Sequence, residues 1–88
     1  MSQLKKQEAH LKILESLIFM DGTPGSHVAL MAKLNPQNIY QALKRLEQQG
    51  RVRHTGEKFA RRWYITDEGR KAALALRMLI NEEAKSSP

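Results

Sequence analysis

The sequence predicts a mostly α domain carrying one small β-hairpin, in the order ααα-ββ-α. Three observations predict it. Apolar residues recur at helical spacing in several segments, an Asn35-Pro36 pair restarts a helix just after another ends, and the apolar period drops from about 3.6 to 2 after Gly50. Eighty-eight residues make a single domain, assigned to residues 1–84, with a polar tail at 85–88 expected to be disordered.

The first segment, from Gln3 to Met20, places Leu4, Leu11, Leu14, Leu17 and Ile18 on one stripe, with Lys5, Lys12 and Glu15 on other faces. That is an amphipathic helix. Asp21-Gly22-Thr23-Pro24-Gly25 ends it, because glycine and proline do not continue a helical backbone ladder. Ser26 is the expected N-cap of a short second helix over 27–33.

Asn35 is placed to cap a third helix over 36–49, and Pro36 at the first helical position forfeits no hydrogen bond. Ile39, Leu43 and Leu46 form its inward stripe, and Gly50 is the left-handed stop. Two helices across so tight a break make a helix-turn-helix. Residues 51–54 and 62–65 then alternate like strands, joined by a turn around Thr55-Gly56-Glu57-Lys58. Thr66 is the expected cap of a last helix over 67–83. Asp67 and Glu68 lie in its favourable first turn, and Ala72, Ala73, Leu76, Leu79 and Ile80 form its stripe.

Charge points to a polyanionic partner. The net charge is +6, and all of the excess lies between Lys33 and Arg62, where eight cations face only Glu47 and Glu57. A solvated surface mixes its signs, whereas clustered charge of one sign suits nucleic acid first and an anionic membrane or acidic protein second. On the third helix, Gln37, Asn38, Tyr40, Gln41, Lys44 and Arg45 are free of the apolar stripe. Asn and Gln pair bidentately with adenine, Arg and Lys with guanine, and Tyr with a phosphate or a thymine methyl. The same polar residues also suit any solvated helix face. The hairpin favours the binding reading, since Arg51, Arg53, His54, Lys58, Arg61 and Arg62 oppose one acid, Glu57. A basic wing beside a groove-sized helix predicts a double-stranded DNA partner.

The run from Asn38 to Gly50, followed by Arg61-Arg62-Trp63-Tyr64-Ile65-Thr66-Asp67-Glu68-Gly69-Arg70, resembles the winged helix-turn-helix transcriptional regulators of the PadR and MarR groups. The likeness spans about Val28 to Arg70. It implies a sequence-preferring regulator, read as a repressor, with Gln37, Asn38, Tyr40, Gln41 and Lys44 facing the groove and the wing on phosphates. It also implies a homodimer through terminal helices. The sequence departs from that pattern at Arg51, where an apolar residue is usual, at Leu30 and Met31, where polar residues are common, and in its short length.

Trp63 is expected in the core beneath the wing, and Tyr64 on the opposite, more exposed face. His10, His27 and His54 have no metal-ligand spacing, and His54 reads as a phosphate contact or a surface residue. No cofactor site is expected. Cysteine is absent, so disulfides and thiolate sites are excluded, and a cytoplasmic address follows as an expectation. No signal-peptide core or membrane span is evident. No nucleophile with a base, paired carboxylates or phosphate loop is present, so the chain reads as a non-enzyme. A sequence-indifferent architectural or replication accessory protein, and a winged helix docking an acidic protein or RNA, remain alternatives.

Overall fold

The computed structural model describes the backbone of residues 2–57 and 60–86, and side chains over 6–57 and 60–82. Its elements are α1 (Ser2–Phe19), α2 (Gly25–Ala32), α3 (Pro36–Gln48), β1 (Val52–Thr55), β2 (Arg62–Ile65) and α4 (Asp67–Ser86). The order is the expected ααα-ββ-α. The two strands pair antiparallel, with Val52 opposite Ile65 and His54 opposite Trp63.

The core forms where the helical stripes and one hairpin face meet. Leu11, Leu14 and Leu17 of α1 join Val28 and Ala29 of α2, Ile39, Leu43 and Leu46 of α3, Val52 and Trp63 of the hairpin, and Ala73 of α4. Trp63 is fully buried, as its alternation with Ile65 predicts. Ile13, off the predicted stripe, is also fully buried, because α1 is covered on more than one side: α2, α4 and β2 all pack on it.

Several local readings hold. The Asn35 side chain accepts a hydrogen bond from the Gln37 amide at 2.9 Å, with Pro36 opening α3. Gly50 is left-handed at φ 75°. The Thr66 hydroxyl accepts from the Gly69 amide at 3.0 Å and donates to the Gly50 carbonyl at 2.6 Å, capping α4 and fastening it to the end of α3.

Others are corrected. Ser26 does not cap α2, which begins at Gly25, two residues before the expected start, behind an extended Pro24 with no side-chain cap. The proline sets the entry, and its carbonyl accepts from the His27 and Val28 amides. Ile18 and Leu79, placed on inward stripes, are 44% and 42% exposed. Tyr64 does take the face opposite Trp63 and is the more exposed of the two, half-buried because its ring lies against Gly22 and beneath the Arg53 guanidinium. The first strand begins at Val52, not Arg51, and α4 runs on to Ser86, beyond Glu83. Of the expected tail, Ser87 and Pro88 lie outside the described residues, as does the side chain of Leu4.

Two glycines serve opposite needs. Gly50 needs a positive φ in open space, whereas Gly69 has no such φ, but a Cβ there would sit 2.0 Å from the Arg51 carbonyl oxygen. Gly69→Ala should therefore destabilise the domain by about 1–3 kcal/mol or more through overpacking. Gly50→Asn should cost well under about 1 kcal/mol, since asparagine tolerates the left-handed region. Thermal unfolding of both variants checks the ranking; equal melting temperatures would contradict the close approach of α4 to Arg51.

Candidate nucleic-acid interface

Around α3 the buried stripe of Ile39, Leu43 and Leu46 fixes the direction of every other side chain. At 100° per residue, the face opposite that stripe is centred on Gln37, Gln41, Lys44 and Gln48, and all four are exposed. Asn38 and Arg45 are also exposed but turn toward α1, where they line one cleft with Lys6 and His10. Tyr40 turns the other way, toward the start of α2, and is 43% exposed. The residues read as groove-facing thus occupy a broad polar arc, with Gln37, Gln41 and Lys44 at its centre.

On the hairpin, alternation sends Val52, His54, Trp63 and Ile65 inward, and Arg53, Thr55, Arg62 and Tyr64 outward. The Arg53 guanidinium lies 4.7 Å from the centroid of the Tyr64 ring, which narrows the arc the charge can sweep. Arg62 donates from Nη1 to the Gly22 carbonyl at 3.0 Å, so it leans on the α1–α2 connection while staying exposed. Arg61 is half-buried, and its Nε has no hydrogen-bond partner among the described residues. Lys58 lies outside the described residues.

His54 departs from its expected role as a phosphate contact or surface residue. Its Nδ1 lies 2.7 Å from a Glu47 carboxylate oxygen, and its ring sits 4.9 Å from that of Trp63. The imidazole thus bridges α3 to the core of the wing. Glu47, the one acid on α3, is engaged by this contact rather than left facing a polyanion. Alternation along β1 could have indicated it, since His54 shares the inward phase of Val52.

The other side of α3 gathers cations. A cleft of about 360 Å³ runs between the first half of α1 and α3, lined by Lys6, His10, Arg45 and the amides of Asn38 and Gln41. It adjoins a second of about 440 Å³, where Arg51 and Gln49 close the far end. His10 is half-buried, and burial, followed by the nearby charges of Arg51, Arg45 and Lys6, lowers its pKa from the ordinary 6.5. No group of three or more metal-ligating side chains occurs among the described residues. No helix among them is long and apolar enough to cross a membrane.

No protein-family model matches the sequence, and no curated protein matches it. Solved structures do. A MarR-family transcriptional regulator from Silicibacter pomeroyi superposes with a TM-score of 0.75 at 27% identity, over 86% of this chain and 53% of that one. The PcaV transcriptional regulator from Streptomyces coelicolor gives 0.75 at 21% identity, over 84% and 57%. The transcriptional regulator Tm0710 from Thermotoga maritima gives 0.66 at 21% identity, over 89% and 58%. The chain shares the winged-helix fold of these regulators, the first of them named as MarR-family, and the comparisons do not bring out the PadR group. It spans little more than half the length of each.

The Glu47–His54 contact should couple wing to helix. In a double-mutant cycle with Glu47→Ala and His54→Ala, the coupling energy should be about 0.5–1.5 kcal/mol, the net value of one intramolecular hydrogen bond. Additive losses in chemical denaturation would show that the two residues do not act together.

Proposed function

We propose that the chain is a DNA-binding transcriptional regulator, acting as a repressor in the cytoplasm, that reads duplex DNA with α3. One observation carries this reading: on the third helix of a winged-helix fold, Gln37, Gln41 and Lys44 form an exposed polar row directly opposite the buried stripe. A B-form major groove admits one α-helix, and those side chains match adenine and guanine edges. Asn38, Tyr40 and Arg45 flank the row and suit phosphates or the outer bases of a site. Arg53, Lys58, Arg61 and Arg62 supply the wing's charge to the backbone or the minor groove. The naming of the similar structures as transcriptional regulators supports the same reading.

A homodimer belongs to the proposal. Leu74, Met78 and Leu79 of α4 are 65%, 59% and 42% exposed, on faces that Ala73 and Ile80 do not use for the core. A copy related by two-fold symmetry would cover them and set two recognition helices about one helical turn of DNA apart.

A duplex selected from a random pool tests the function. Gln41→Ala should weaken binding to that duplex by about 1–3 kcal/mol and relax preference at one position. Arg53→Ala should weaken binding to every duplex alike and reduce the slope of log affinity against log salt by about 1. Equal losses on selected and random DNA from Gln41→Ala would instead indicate a sequence-indifferent DNA coater. No duplex binding at physiological salt would leave the wing as a protein- or RNA-docking surface.

A further inference from the structure

Phe19 and Leu30 are the most exposed large apolar side chains of the described residues, at 81% and 75%, and neither lies on α3 or the wing. Single exposed apolar residues are ordinary. Phe19, however, stands at the edge of a groove of about 440 Å³ between α1 and α2. Lys12, Glu15, Ser16 and Phe19 form its α1 wall, and Met31, Ala32 and Lys33 form the wall across from it. Leu30 and Met31 are also the two positions of α2 where the sequence turns apolar against the pattern it resembles.

The α1 wall has the spacing i, i+3, i+4, i+7. Those are the four corners of a hole that receives one side chain from a facing helix. Its floor leaves room, because Ser16 and Ala32 are both small and buried. The Ser16 hydroxyl donates to the Lys12 carbonyl at 2.7 Å, so its proton is already spent on the backbone. Phe19 and the half-buried Met31 supply apolar surface, and a methionine repacks readily around a guest.

The rim is cationic. Lys12 and Lys33 are exposed, and neither pairs with an acidic side chain among the described residues. Glu15, the one acid in the groove, is held by Arg77 Nη2 at 2.6 and 2.8 Å. A second copy set on this groove by two-fold symmetry would bring the lysines toward one another, and a flat bilayer would leave the hole unfilled. A helix with an apolar row flanked by carboxylates satisfies both the hole and the lysines.

We infer that the groove is a docking site for an acidic amphipathic helix of a partner protein, seated with one large aliphatic side chain in the hole and its carboxylates toward Lys12 and Lys33. None of the lining residues belongs to the polar arc of α3 or to the wing, so the partner helix and a duplex occupy the chain together. That second half rests on the DNA reading; the docking half does not.

The probe is a labelled alanine-based helical peptide with leucines at heptad spacing and glutamates on both flanks, beside a twin with lysine in place of glutamate. Fluorescence anisotropy with the full chain should give the glutamate peptide a Kd of about 100 μM or below. The lysine twin should bind about tenfold more weakly. Phe19→Ser should weaken the glutamate peptide about thirtyfold, as removal of a central aromatic does, with the melting temperature unchanged. Lys12→Glu should weaken it about fivefold and strengthen the twin, a reversal that loss of folding cannot produce. Lys71→Glu, on α4, makes the same change in net charge and should alter neither. Saturating glutamate peptide should leave the apparent Kd for a labelled duplex unchanged.

If neither peptide binds, if both bind alike, or if binding survives Phe19→Ser, the docking site is excluded and the DNA reading is untouched. If Phe19→Ser lowers the sedimentation mass of the free chain, the groove is a contact between copies and the inference falls. It falls equally if that variant loses binding to phosphatidylglycerol vesicles while the peptides bind nothing. A peptide that displaces the duplex overturns joint occupancy. If the peptide binds and no duplex does, the docking site stands and the DNA reading fails.

Discussion

The backbone pairing of Trp63 with the loop before α2 is the interaction on which the rest of the molecule depends. The Trp63 carbonyl accepts from the Gly22 and Thr23 amides at 2.9 and 3.2 Å, and its own amide donates to the Thr23 carbonyl at 2.9 Å. Asp21 adds a side-chain bond to the Ile65 amide at 2.9 Å. An isolated two-stranded hairpin is marginal in water, so this wing needs a third edge, and residues 21–23 supply it. The indole then fills the space beneath the hairpin. Truncating a buried aromatic of this size costs about 3–5 kcal/mol, a large share of the stability of so small a domain.

From that anchor the positions of the other elements follow. The hairpin is fixed to the α1–α2 loop at one end and, through Glu47 and His54, to α3 at the other. The start of α4 is fixed by Thr66 to the Gly50 corner and by the close approach of Gly69 to Arg51. Arg77 of α4 then meets Glu15 of α1 in a bidentate contact at 2.6 and 3.2 Å, which raises the arginine's already high pKa. Because that pair is exposed, it sets the direction of α4 more than it stabilises it. The direction of the polar arc of α3 is thus set by the elements packed around the helix's buried stripe.

Much of this was legible in the sequence, and the residues show why. Asn35-Pro36, Gly50 and Thr66 each solve a local backbone problem, and local problems are written in adjacent residues. The exposed positions of Gln37, Gln41 and Lys44 follow from the stripe of Ile39, Leu43 and Leu46 by helical geometry alone. What escaped was tertiary. Ser26 has a capping side chain, but Pro24 fixes the entry to α2 two residues earlier. Leu79 keeps the spacing of a core residue, yet among the described residues α4 packs on α1 and β2 through the side that carries Ala73, and Leu79 stays 42% exposed. The contact of His54 with Glu47 spans 7 residues and depends on where the hairpin folds back, which alternation suggests but cannot place. The cationic cleft was least legible, because Lys6 and His10 lie far in sequence from Arg45 and Arg51.

That cleft also changes how the charge cluster is understood. Read along the chain, the excess of cations between Lys33 and Arg62 forms one block with one partner. In the fold it divides about α3. Arg53 and Arg62 belong to the outward face of the wing, Lys44 to the centre of the polar arc, and Arg45 and Arg51 to the α1 side, where Lys6 joins them. The field at His10 reflects that division, since every charge that depresses its pKa comes from the α1 side and none from the wing. A major groove carries a phosphate backbone on each side of a helix seated in it, so one duplex can meet all three groups. Asn38, Gln41 and Arg45 line the α1-side cleft and also belong to the polar arc, so the cations on that flank and the row at its centre form one continuous surface.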